Sequence, residues 1–116
     1  MCSLAPETPP SLELVRACIE GLDGEYVYTT QFNHDGDHYL TVVGGHNGHF
    51  NVVVYAGTSH HELSNPKATS GGPVVIAHGE HKYMVSPRYA VDLETAVSAA
   101  TYYAVNGKPH PVLDWR

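Results

Sequence analysis

Apolar positions in the first fifth of the chain recur at helical spacing. Leu12, Val15, Ile19 and Leu22 follow a Thr8-Pro9-Pro10-Ser11 start signal, in which hydroxyl oxygens cap free N–H groups and prolines suit the first turn. The spacing predicts a helix ended by Gly21 or Gly24. The period then changes to two. Tyr26, Tyr28, Thr30 and Phe32 alternate with Val27 and Thr29, which predicts a strand with an aromatic face. His34-Asp35-Gly36-Asp37 predicts a turn, residues 39–43 a second strand, Asn47-Gly48 a type I′ hairpin turn and residues 50–55 a third strand. Residues 56–72, with Gly57, Ser64, Asn65, Pro66, Ser70, Gly71 and Gly72, read as a long irregular connection and the first candidate for a contact loop. Residues 74–77 and 82–85 then pair as strands around Gly79-Glu80.

Pro87 leads toward a second helix. There Asp92 can accept orphan backbone N–H groups, Glu94 suits the positive end of the dipole, and Leu93, Ala96, Val97, Ala100, Tyr103 and Ala104 form the stripe to be buried. Asn106-Gly107 stops it. A short terminal strand follows, carrying Trp115, the only tryptophan. The expected fold is α+β: an antiparallel meander of about five strands plus a short C-terminal strand, packed by two α-helices.

A 12.6 kDa chain with 42% hydrophobic residues can remove on the order of 12,000 Å² from water, enough for one core. Residues 1–116 are therefore expected to form a single domain. No apolar run approaches the ~20 residues of a membrane helix, and Met1 to Pro6 lack a signal-peptide pattern, so the expected location is cytoplasmic, without membrane association. Cys2 and Cys18 are the only cysteines, too few for a disulfide framework to be expected. Twelve acids against six bases give a net charge of −6, which repels phosphate backbones and favours a basic protein partner through complementary potentials.

Eight of the nine histidines gather at the turns in four pairs, His34/His38, His46/His49, His60/His61 and His78/His81, so a metal site has to be weighed. In a simple meander, His46/His49 and His78/His81 fall at one end of the sheet and His34/His38 with His60/His61 at the other. Neighbouring turns at one end are then roughly 9 to 10 Å apart, whereas zinc needs ligand atoms at about 2 Å. No cofactor and no metal are expected. His78-Gly79-Glu80 imitates half of the zinc-deaminase signature, but both cysteines lie upstream, where no Pro-Cys-x-x-Cys can follow it. There is no nucleophile elbow and no phosphate loop. Cys18 falls on the apolar stripe, where thiols are usually inert. A non-enzymatic reading follows.

The last quarter of the chain carries a resemblance. Asp92-Leu93-Glu94-Thr95-Ala96-Val97 opening a helix, the Asn106-Gly107 stop, and Pro109, Pro111, Val112, Leu113, Asp114 and Trp115 at the end resemble the first-numbered immunity-protein family of bacterial polymorphic toxin systems, the Imm-one family. The resemblance is specific over residues 91–116 and looser over the Gly71-Gly72-Pro73-Val74-Val75-Ile76 stretch. It implies a protein that binds and neutralises a cognate secreted toxin, of the deaminase or nuclease class and most plausibly a nucleic-acid deaminase, by occluding its active site. The matching residues read as fold-defining, so the contact surface is sought elsewhere. Asp35, Asp37, Tyr55, His60, His61, Glu62 and Glu80 are the expected toxin-binding residues, because turn-borne acids and aromatics give specificity and affinity for a basic groove. A generic protein-interaction module and a small histidine-dependent metal-binding protein are the alternatives.

Overall fold

The computed structural model describes residues 12–65, 71–79 and 81–116. Helix α1 covers Leu12–Glu20. Val15 and Ile19 are fully buried and Leu22, just past its end, is nearly so, which is the stripe that the helical spacing requires. The start signal at Thr8 to Ser11 lies outside the described residues.

Strands β1 (Thr29–Asp35), β2 (His38–Gly44), β3 (Phe50–Ala56) and β4 (Ser59–Glu62) form one antiparallel sheet in that order. Strands β5 (Val74–His78) and β6 (Lys82–Val85) form a separate two-stranded sheet, and helix α2 covers Leu93–Asn106. The fold is α+β, as the alternation of periods implied. The strands do not run on as one meander, however. The first sheet closes after β4 and the β5–β6 hairpin packs beside it, touching the 3₁₀ turn His46–Gly48 and β2.

The period of two decides the inner face. Thr30, Phe32, Leu40, Val42, Val52 and Val54 are all buried, and the five apolar ones form one core with Val15, Ile19, Ala96, Val97, Ala100 and Tyr103 of the helices. Strand β1 begins three residues later than the alternation suggested. The Asp23 carboxylate accepts the N–H groups of Glu25, Tyr26 and Val27 at 2.8, 2.9 and 3.0 Å. That binds residues 23–27 into a tight loop and leaves Tyr26 exposed. Asn47, at φ 55°, and Gly48, at φ 73°, provide the left-handed pair of a type I′ turn, closed by His49 N–H donating to His46 O at 3.1 Å.

Strand β4 corrects the expectation of an irregular connection after residue 56. Ser59, His60, His61 and Glu62 have no apolar alternation to announce a strand, because β4 lies at the sheet margin with its first three residues exposed. Beyond it the chain end closes the edge. Leu63 bridges Trp115, Ser64 N–H donates to Asp114 O at 2.7 Å, and Arg116 N–H donates to Glu62 O at 2.8 Å. Trp115 is half-buried against the core and its indole N–H donates to His110 O at 3.0 Å.

Helix α2 is capped as its sequence requires. The Asp92 carboxylate accepts Thr95 N–H at 2.8 Å, and Gly107, at φ 70°, ends the helix with its N–H on Tyr103 O. Arg16 donates to both oxygens of Glu94 at 2.8 Å and ties α1 to α2. Cys18 lies on the apolar stripe of α1. It is buried as the stripe required, but it is disulfide-bonded; Cys2, the other cysteine of the chain, lies outside the described residues. No helix among the described residues is long and apolar enough to cross a membrane.

Candidate binding surface

The face of the four-stranded sheet turned away from the helices is set by parity. With Phe32, Leu40 and Val54 facing the core, their neighbours Asn33, Tyr39 and Tyr55 face outward. The register places Asn33 opposite Tyr39, Tyr39 opposite Tyr55 and Tyr55 opposite His60. One row thus crosses all four strands. Tyr39 and Tyr55 stack with centroids 4.8 Å apart and planes 23° from parallel, and the His60 ring lies 6.0 Å from Tyr55. Cross-strand aromatic neighbours of this kind stabilise the sheet as well as offering a stiff apolar surface.

The row ends beside an acidic turn. Asp35 accepts the N–H groups of Asp37 and His38, both at 3.1 Å, and its carboxylate lies 2.7 Å from His38 Nδ1. The His38 hydrogen bond, chiefly, holds the Asp35 carboxyl below its usual range, so the turn carries its charge at neutral pH. Gly57 N–H donates to Asp37 O at 2.9 Å, which lashes the β1–β2 turn to the β3–β4 turn. The meander expectation that these two turns share one end therefore matches the observed placement.

The expected contact residues divide accordingly. Asp37, Tyr55 and His60 come together at this end, with Asp37 and His60 exposed. Asp35 belongs to the same turn but is occupied in holding it. Glu62 lies on the same face as His60, half-buried, and its carboxylate accepts the Asn51 side-chain N–H at 2.8 Å. Asn51 also donates to Tyr89 O at 3.2 Å, so Glu62 braces the strand against the 3₁₀ turn Pro87–Tyr89. His61, paired with Val54, has the opposite parity and is exposed at the strand margin. Glu80 lies outside the described residues.

One residue of this end was not among the expected contact residues, and another has a role beyond the burial expected of it. Tyr39 is a full member of the row, and the signal for it was its position in the second strand, two residues past the acidic turn. Tyr103 of α2 is buried, as its place in the apolar stripe required, and among the described residues its hydroxyl has no hydrogen-bond partner. Burial, and secondarily the charge of Asp35, pushes it up to about 12, so it remains a neutral phenol beneath the turn.

The histidines at the opposite end meet in part. His46 and His78 rings are 4.7 Å apart, edge to face, yet among the described residues no three His, Cys, Asp or Glu side chains group so as to hold a metal ion. An open groove of about 480 Å³ runs along the helices past Arg16, Val97, Thr101, Tyr102, Val105 and His110, and none of the expected contact residues lines it. Comparison of the chain with protein-family models, with characterised proteins and with solved structures returns no match.

Proposed function

We propose that this chain is an immunity protein, a binding module that neutralises a cognate secreted toxin by covering the basic groove in which that toxin holds its substrate. A nucleic-acid deaminase is the toxin class favoured. The observation that carries the reading is the stacked Tyr39–Tyr55 pair running to His60 beside the exposed Asp37. Rigid aromatics supply contact area at little entropic cost, and the neighbouring acid, in a chain of net charge −6, selects a basic partner and speeds its approach. The resemblance of residues 91–116 to immunity proteins makes the basic partner a toxin.

The experiment is co-purification with the product of the adjacent gene, which this reading expects to be a toxin domain, and inhibition of that product. Asp35 and Glu62 are unsuitable for charge reversal, because each already holds a turn or a strand through its carboxylate. Asp37→Lys combined with His60→Ala alters only exposed side chains, so melting should move little. Association should slow by about tenfold and lose part of its salt dependence. Full protection by this double variant, at unchanged association rate, would remove the row end from the contact surface.

A further inference from the structure

The β5–β6 hairpin carries a second surface of a different kind. Seven large hydrophobic side chains are exposed among the described residues, and four of them, Tyr26, Val27, Tyr83 and Met84, lie on β6 or on the loop beside it, at 84, 42, 48 and 54% exposure. The two segments touch. Tyr28 and Tyr83 rings are 5.9 Å apart, and His78 N–H donates to Gly24 O. The loop is held stiff by the Asp23 carboxylate and by the Asp23 and Gly24 N–H groups donating to Val27 O at 2.8 and 3.2 Å. Its tyrosine is thus displayed in a fixed position although the loop needs no such side chain for its own geometry.

Strand β6 adds an open edge. It pairs with β5 alone among the described residues, its first three residues are exposed, and Lys82 and Met84 fall on the other side of the pleat from Tyr83. Exposed edges invite strand pairing unless covered, and a two-stranded sheet gains stability from further strands. The margin of the first sheet is covered by the chain end at Trp115, and no described segment does the same for β6.

We propose that β6 is the pairing edge of a homodimer, in which a second copy of this chain adds its own β6 antiparallel about a two-fold axis. A two-fold antiparallel pairing must place a residue opposite its own copy. Centred on Tyr83, it sets Lys82 opposite Met84; centred on Met84, it sets Lys82 opposite Ser86 and Tyr83 opposite Val85. Neither register opposes like charges. Residues 81–89 contain Lys82 and Arg88 and no acid, while exposed Glu25 lies on the adjoining loop, so the rim carries both signs and can complement a copy of itself. The acidic turn at the far end offers no such match. With aromatic side chains of about 150–250 Å² each, the exposed portions of the four residues amount to roughly 400 Å² per copy. That falls short of the ~1,200 Å² total of stable complexes, so the dimer is a weak one.

Sedimentation of the full chain from about 5 to 500 μM, at physiological salt, tests this. The expected result is a reversible monomer–dimer equilibrium whose dissociation constant rises at least tenfold in Tyr83→Glu and in Met84→Glu. Ser98→Glu, the same charge change on exposed α2, should leave it unchanged. Amide exchange should show β6 protection growing with protein concentration. A monomer throughout the range, or a dimer that both β6 variants leave intact while they remain folded, overturns the proposal. So does β6 protection that arises only when a different protein is added.

Discussion

The two sheets of this protein are built from the same antiparallel pairing and meet opposite fates. In the four-stranded sheet, Phe32, Leu40, Val42, Val52 and Val54 are buried beneath two helices, and the β4 edge is closed by Leu63, Trp115 and Arg116. In the hairpin, Ile76 and Ala77 alone among the described residues are buried, a bulge lies between Val75 and Ala77, and no described segment covers the β6 edge. The difference teaches where stability and recognition separate. A strand covered on one face and paired on both edges contributes to the core, whereas one anchored at two residues serves chiefly to display what it carries.

The strongest way to break this comparison is to remove one large side chain from each region. Phe32→Ala should cost about 3–5 kcal/mol in a denaturant melt, since the ring is almost fully enclosed. Tyr83→Ala should stay within about 0.5 kcal/mol. Comparable losses would mean that the hairpin belongs to the same cooperative unit as the core. An intermediate effect is expected at the closed edge. Trp115 is half-buried, so Trp115→Ala should lose roughly 1–3 kcal/mol, and the amides of Leu63, Ser64 and Arg116 should exchange faster than those of β2. A melting temperature unchanged from wild type would detach the chain end from the sheet's stability.

Acid sharpens the comparison with a smaller effect. Asp23, Asp35 and Glu94 all have carboxyl groups held below their ordinary values, by the Glu25 N–H, the His38 side chain and the Arg16 guanidinium respectively. A depressed folded-state value means that the stabilisation is complete above the unfolded value and is lost as pH falls through the folded one. For these three groups melting temperature should therefore decline only below about pH 4. Asp23→Asn, on the hairpin side, should flatten that decline slightly and speed exchange at Tyr26 and Val27. An acid profile identical to wild type would show that the loop is held without the Asp23 charge. The smallest stability effect belongs to Met84→Ala, within about 0.5 kcal/mol, readable mainly through the monomer–dimer equilibrium.

Much of the architecture was legible in the sequence because it rests on local rules. The two helices follow from apolar spacing and from the Asp92 and Gly107 caps. The Asn47-Gly48 turn follows from the two left-handed residues it needs, and the inner face of β1 to β3 follows from alternation. These need no knowledge of distant residues. Strand β4 was not legible, because Ser59 to Glu62 owe their extended form to the neighbouring β3 and not to their own side chains. The late start of β1 was hidden for a related reason: one carboxylate, Asp23, outweighs the alternation of Tyr26 and Tyr28 by satisfying three backbone groups at once.

The sequence by itself determined the α+β class, the acidic balance and the gathering of Asp35, Asp37 and His60 at one end, since turns of a meander must alternate ends. Only the tertiary structure decided which of those groups remain available. Register put Tyr39 against Tyr55, hydrogen bonds committed Asp35 and Glu62 to the fold, and packing left Tyr26, Tyr83 and Met84 in solvent. Side-chain pattern encodes face and period over a few residues, but the availability of a group depends on which distant neighbours reach it first.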